Sequence, residues 1–333
     1  MYEAKFGLRQ RPFPATPDPA SYYPATSHER AIARLLGGLE DGEGVLLLTG
    51  EAGTGKTLLC HCLLERLGSS ASTAFLTAGH YDGPAGLLQS LLFDLSLPYQ
   101  GLREQEMRLG FTEYLLTTFK EGRRTVLVID EAHHLDAGLL EEVRLWGNLE
   151  GRTGKVLQVV LVGQPSIVAN LRAANLASLR QRLTVRASVD PLPLQEAADY
   201  LFHHLRAAGG RPERILGDEA AEILARNSAG VPRVLNQVAH QALILAAEAG
   251  AAEVDVEIVL EALSLLGLAA EEVGEECAKQ SDEGMVREET SPVLATAAVA
   301  ASVSADPPTL ETERAATETD PACRLFMSSL DAS

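Results

Sequence analysis

The sequence predicts an α/β protein: a doubly wound parallel sheet domain, then a small all-helical domain, then a tail without sustained periodicity. Three observations predict it. Four short apolar runs, "GVLLLTG" (44–50), "TAFLTAG" (73–79), "TVLVID" (125–130) and "LQVVLVG" (157–163), have the length and unbroken apolarity of strands buried on both faces. A helical pattern over 28–39 precedes them, and others over 57–67, 85–96, 104–120 and 138–149 separate them. Beyond residue 190 the strand signals stop and amphipathic segments take over.

Taken in order, residues 1–27 are rich in Pro, Tyr and Phe without helical or strand periodicity, and read as an extended arm lying on a domain. "HERAIARLLGGL" then spaces its apolar residues for a helix from His28. The strand and helix runs of 28–190 form the sheet domain. Four helices follow in 191–267: "LQEAADYLFHHLRAAG", "GDEAAEILARNSAG", "VPRVLNQVAHQALILAAEAG" and "VDVEIVLEALSLLG", with Gly at or near several of their ends. Residues 268–333 mix acids with Ala, Ser, Thr and Pro, are poor in aromatics, and have the composition of a disordered segment.

The formal net charge of −18 is unevenly spread. Residues 268–333 hold 4 Lys/Arg against 14 Asp/Glu, which leaves 24 against 32 in residues 1–267. The folded part is therefore only mildly acidic, and no Lys/Arg run exceeds two residues, which counts against a phosphate-backbone footprint. No apolar run has the length of a membrane span, and the first residues lack the apolar core of a signal peptide. Four cysteines in a chain this size make no disulfide framework, so a reduced, cytoplasmic setting is expected. Cys60 and Cys62 lie about 200° apart around a helix and read as core thiols.

The chemistry is carried by "GEAGTGKT" (50–57), which fits G-x-x-x-x-G-K-[ST] with a strand before it and a helix after it. Gly50, Gly53 and Gly55 let the backbone curl so that the N–H groups of Gly50, Glu51, Ala52, Gly53, Thr54, Gly55, Lys56, Thr57 and Leu58 face phosphate oxygens at a helix N-terminus. Lys56 supplies a point charge to the β- and γ-phosphates of ATP, and Thr57 a hard oxygen to Mg²⁺. The run "VLVIDEAHHL" (126–135) ends a strand in two carboxylates, 74 residues after Lys56. Two adjacent acids at a strand end are costly without a cation nearby. Asp130 is expected to hold Mg²⁺ and Glu131 to polarise the attacking water. The letters D-E-A-H also spell a helicase box, but the second sheet domain and the arginine motif of such helicases are missing. Zinc is disfavoured because His133 and His134 are adjacent and no H-E-x-x-H or usable C-x-x-C accompanies them.

Three further positions fit the same site. "LVGQPS" puts Gln164 at a strand end beside the phosphate loop, where it would sense the γ-phosphate, if the strands are ordered as in P-loop ATPases. "LASLRQRLTVRASV" offers Arg182, then Arg180 and Arg186, as an arginine reaching a neighbouring protomer's γ-phosphate. "GVPRVLN" opens a helix with Pro232 in its first turn and aims Arg233 at the phosphates as the helical domain closes.

Together, the P-loop, "VIDEAHHL", "LVGQP", "LRQRLTVRASVDPLPLQEAADYLFHHLRAAG" and "GVPRVLN" resemble the AAA+ ATPases. With "FGLRQRPFPATPDPASYYPATSHERAIARL" they are similar, over about residues 2–267, to the ExeA-like (general secretion pathway protein A) family. The resemblance implies a Mg²⁺-dependent ATPase working as a homo-oligomer on a protein partner, in assembly of a secretion, pilus or polysaccharide-export system. It also implies that the arm and His28 border the adenine pocket. Larger members continue into a membrane span and a peptidoglycan-binding domain, whereas this sequence continues into an acidic tail. The same core resembles transposition helper ATPases that act on DNA, and a nucleotide-gated scaffold is the third alternative.

Overall fold

The order of the strands decides where every candidate residue ends up. The computed structural model describes residues 2–268 apart from Pro17, His80, Arg152 and Thr153; the tail read as disordered lies, from residue 269 on, outside the described residues. The chain runs α1 (Tyr2–Phe6), α2 (Thr26–Glu40), β1 (Val45–Gly50), α3 (Lys56–Leu67), β2 (Ala71–Thr77), α4 (Gly83–Asp94) and α5 (Glu104–Lys120). It continues through β3 (Arg124–Asp130), α6 (Ala137–Trp146), a short antiparallel pair β4 (Glu150–Gly151) and β5 (Gly154–Lys155), and β6 (Leu157–Gly163). Then follow α7 (Ser166–Asn170), α8 (Ala177–Arg182), β7 (Leu183–Val189), α9 (Leu194–Ala207), α10 (Asp218–Asn227), α11 (Pro232–Glu248) and α12 (Val256–Leu265).

The five-stranded sheet is parallel, in the order β2-β3-β6-β1-β7. Its period of two divides the core. Leu46, Leu48, Val126, Val128, Val160 and Val162 face α2 and α3, meeting Leu35, Leu39, Leu59 and Leu63. Val45, Leu47, Leu127, Ile129, Val159 and Leu161 face α4 to α6, meeting Leu87, Leu91, Phe111 and Trp146. With helices on both faces the strands need apolar residues at every position, hence the unbroken runs. Each such side chain, fully buried, contributes roughly 1.5–3 kcal/mol. Cys60 and Cys62 are buried in the α3 layer as free thiols.

Two expectations are corrected. The sheet has a fifth strand, β7, in the stretch read only for its arginines. It is an edge strand in which buried Leu183, Ala187 and Val189 alternate with exposed Thr184, Arg186 and Ser188. Half of it faces water, so it lacks the unbroken apolarity of the central strands. The arm is not wholly extended either. Tyr2–Phe6 is helical because the helical domain holds it: Tyr2 Oη pairs with His240 Nδ1 at 2.8 Å, and Lys5 Nζ donates to Ala246 O at 2.9 Å in the last turns of α11. Phe13 is buried in the same core, with Leu201, Leu224, Leu235, Leu243 and Val259.

The helical domain begins where Val189 ends the sheet. Asp136 caps α6 and Asp255 caps α12, accepting from the backbone N–H groups of Leu139 at 2.8 Å and Ile258 at 3.0 Å. Leu192 N donates to Gly230 O at 2.8 Å, and Arg233 N to Gly53 O at 3.2 Å. The start of α11 is thereby stitched to the phosphate loop, and sheet and helical domains form one compact unit.

Candidate active site

The loop between β1 and α3 needs its glycines. Gly53 and Gly55 have φ of 82° and 94°, which a side chain would strain. A Cβ on Gly50 would lie 2.7 Å from Val189 O and 2.9 Å from Thr54 Oγ1, and one on Gly53 would lie 2.9 Å from Arg233 Cβ. Thr54 Oγ1 donates to Glu51 O at 2.9 Å, closing the turn. Lys56 is buried at the helix start with its Nζ 2.9 Å from Glu51 O. Burial pushes its ammonium below the usual lysine range, while Glu131 and Asp130 pull the other way.

Register brings the carboxylates to this loop. Asp130 ends β3 fully buried, and its Oδ2 accepts from Thr57 Oγ1 at 2.6 Å. Its Oδ1 accepts from Glu131 N at 2.8 Å. Glu131 then turns the chain at φ 53°, a left-handed backbone uncommon for a residue with a side chain and often held at functional sites. Its Oε2 has no hydrogen-bond partner among the described residues. The near group is His133 Nδ1, 3.3 Å away but too poorly aligned for a hydrogen bond.

These residues fit a metal–nucleotide group. Thr57 and Asp130 bring two hard oxygens together at the foot of a glycine cradle, beside a buried ammonium. The loop carbonyl that Lys56 holds lies within the cradle itself.

The other candidates divide. Gln164 lies at the end of β6, between β3 and β1, and its N–H donates to His133 Nδ1 at 3.4 Å. Arg233 reaches the loop through its backbone, and its exposed side chain is close enough to push Lys56 toward deprotonation. His28 is buried with Nε2 2.8 Å from Thr54 O. A carbonyl only accepts, so Nε2 carries the proton, and burial lowers the ring's proton affinity. Its contact is with the loop's own backbone. Glu29, bound by both terminal nitrogens of Arg66 and by Tyr22 Oη, ties the same helix to α3. Arg180 and Arg182 close α8, at the start of β7; the phosphate loop follows the opposite end of the parallel strand β1. Seven residues of strand, about 20 Å, separate those ends. Arg186 lies exposed within β7. None of the three joins the cluster within one chain.

The sequence suggested His133 only as a zinc ligand, a role it disfavoured, yet His133 touches both Glu131 and the end of β6. Glu131, His133 and His134 bring one donor atom each to within 4.8 Å of one another, which residue spacing alone did not suggest. Its only advance signal was a histidine two places after the acid.

Residues 39–171 match the model of the AAA domain. Over 249 residues the chain is 39% identical to General secretion pathway protein A of Aeromonas hydrophila, covering 74% of this chain and 45% of that protein. The chain belongs to the ExeA-like AAA family. It spans less than half the length of that relative. It is also 29% identical over 279 residues to the Holliday junction branch migration complex subunit RuvB of Chlorobaculum tepidum, covering 80% of this chain and 70% of the relative. Among solved structures, Cdc6p from Pyrobaculum aerophilum superposes with a TM-score of 0.60 at 18% identity, over 74% of this chain and 71% of that one. The ORC2 protein of Aeropyrum pernix, solved with ADPNP and ADP, gives 0.58 at 15%, over 71% and 66%. These two likenesses concern the P-loop AAA fold. No described helix of this family member is long and apolar enough to cross a membrane.

Proposed function

We propose that this AAA protein hydrolyses ATP with Mg²⁺ and spends the free energy on moving its helical domain (191–267) against its sheet domain (28–190). The observation that carries the reading is the 2.6 Å pairing of Thr57 Oγ1 with Asp130 Oδ2 next to the buried Lys56. Bound Mg²⁺·ATP supplies the phosphoryl group and the divalent charge. Lys56 gives up Glu51 O and turns its ammonium to the phosphates, with the loop N–H groups from Gly50 to Leu58 around them. Thr57 and Asp130 hold the metal side, and Glu131 takes a proton from the attacking water. Gln164 at the sheet and Arg233 at the helical domain respond to the γ-phosphate. The bond from Arg233 N to Gly53 O ties the helical domain to the loop and gives it its lever. Arg182 (or Arg180 or Arg186), far from its own loop, serves a neighbouring copy in a homo-oligomer. His28 holds the loop from behind, within reach of a base pocket.

The partner is an assembly component of a cell-envelope system: secretion, pilus or polysaccharide export. Identity of 39% to General secretion pathway protein A supports this reading. A DNA-acting role is the second reading, favoured by the RuvB relatives that match 80% of the chain. Steady-state ATP turnover with and without duplex DNA tests both. We expect turnover that DNA leaves unchanged and that Glu131→Gln lowers about a hundredfold or more while nucleotide still binds. Stimulation of several-fold by DNA would replace the envelope reading. Full turnover in Glu131→Gln would remove Glu131 from its role.

A further inference from the structure

The Nδ1 atom of His133 faces two groups that want opposite things from it. Gln164 N donates to it at 3.4 Å, which requires an unprotonated nitrogen. Glu131 Oε2, 3.3 Å from it, is an acceptor with no hydrogen-bond donor among the described residues. One nitrogen cannot serve both. The ring is wedged firmly enough for the choice to matter. A Cβ on Gly163 would lie 3.2 Å from His133 N and 3.3 Å from Nδ1, and Asn170 Nδ2 holds His133 O at 3.2 Å. Glu131 itself sits on a left-handed turn, φ 53°, with its Oε2 on the His133 side.

Resting on the ATPase reading above, we propose that His133 is a positioning residue that couples the end of β6 to the catalytic glutamate by exchanging its Nδ1 between two partners. In the arrangement described here, Nδ1 accepts from Gln164 and Glu131 is left unheld. When the end of β6 shifts toward nucleotide, the Gln164 N–H withdraws. The ring proton moves from Nε2 to Nδ1 through solvent, and Nδ1–H donates to Glu131 Oε2. The other carboxylate oxygen is then free and oriented to accept the proton from water, as a base fixed by a third group. No net charge changes in the exchange. Burial, the largest influence on this ring, lowers its proton affinity, so the neutral tautomers are the relevant forms near neutral pH. The device makes hydrolysis conditional on what Gln164 meets, so Glu131 is not held in the productive orientation beforehand.

Two variants and one spectrum test it on the full chain. His133→Phe keeps the ring's bulk and removes its nitrogens; His133→Asn keeps a polar atom near Nδ1. We expect His133→Phe to lower kcat about ten- to a hundredfold, with KM and nucleotide affinity within about twofold, and His133→Asn to recover much of the loss. Combined with Glu131→Gln, His133→Phe should cost nothing further, because both act through one group. Independently of turnover, the ¹⁵N resonance of His133 Nδ1 should be that of an unprotonated nitrogen in the free protein. It should become that of a protonated nitrogen with a non-hydrolysable ATP analogue and Mg²⁺. An unchanged tautomer, wild-type kcat in His133→Phe, or a parallel loss of nucleotide affinity and melting temperature would overturn the proposal. If the wild-type chain turns over no ATP while the tautomer still switches, the ATPase reading fails and the coupling stands.

Discussion

The sheet domain and the helical domain bury ionisable groups on different terms. At the strand ends of the sheet, His28, Lys56 and Asp130 are buried together, and each has a partner: Thr54 O, Glu51 O and Thr57 Oγ1 respectively. In the helical domain His204 of α9 is buried among Phe13, Tyr200 and His203, and its Nδ1 has no hydrogen-bond partner among the described residues. Burial pushes that ring down to about 4, with only the Pro12 carbonyl pulling the other way. Charge is tolerated inside where several groups share it, and such sharing marks a site. A buried imidazole packed among aromatic rings marks a core. Substitutions should therefore separate the regions, with the sheet cluster governing nucleotide and the helical core governing stability.

The largest effect expected is at the centre of the cluster. Lys56→Ala should weaken ATP binding by about a hundredfold or more, since it removes the buried ammonium proposed to meet the phosphates. Its melting temperature should stay within a few degrees, because an ammonium that is costly to bury leaves with it. Titration with a fluorescent ATP analogue beside a thermal melt measures both; a collapse of the melt would blur the division. Next comes the joint between the regions. Gly230 has φ of 70°, and a Cβ there would collide with Leu192 O. Gly230→Ala should cost about 2 kcal/mol or more, read from the urea midpoint, and an unshifted midpoint would show that the joint yields.

The two buried histidines sharpen the contrast. His204 titrates near 6.5 when unfolded and about 4 when folded, so the unfolded chain binds more protons between those values. Stability from keeping it neutral is present above about pH 6.5 and is lost as the pH falls through about 4, a change of about 3 kcal/mol. His204→Phe should flatten that acid limb in melts from pH 7.5 to 4.5, and an unchanged limb would place the acid sensitivity elsewhere. The smallest effect is expected at His28, where Phe leaves Thr54 O without its donor, a loss of about 1 kcal/mol. His28→Phe should weaken nucleotide binding several-fold with little change in the acid limb; the reverse pattern would erase the distinction between the two rings.

Much of the fold was legible because it depends on local patterns. Apolar runs marked β1, β2, β3 and β6, and the helical segments of 191–267 each fall on a helix from α9 to α12. The misses have physical causes. β7 is an edge strand whose alternation carries exposed Arg186 and Thr184 in place of a solid apolar run. α1 is five residues long, too short to hold a helix without Tyr2 and Lys5 on α11. In the site, the phosphate loop and the Asp-Glu pair were readable because the glycines, Lys56, Thr57 and Asp130 obey fixed spacing. His133 was not, since its partner Gln164 lies 31 residues away, just past the end of β6.

By itself the sequence determined four of the five sheet strands and the long helices, together with a loop that only glycine can build beside a lysine and a threonine. Those properties are local, set by side-chain period and backbone freedom. The tertiary structure alone decided that β6 lies between β3 and β1, which brings Gln164 to His133 and His133 to Glu131. It also decided that α11 is hydrogen-bonded to Gly53 and that Arg182 lies a strand's length from its own loop. Strand order and domain docking follow from how apolar faces close over one another along the whole chain, and no window of sequence holds that sum.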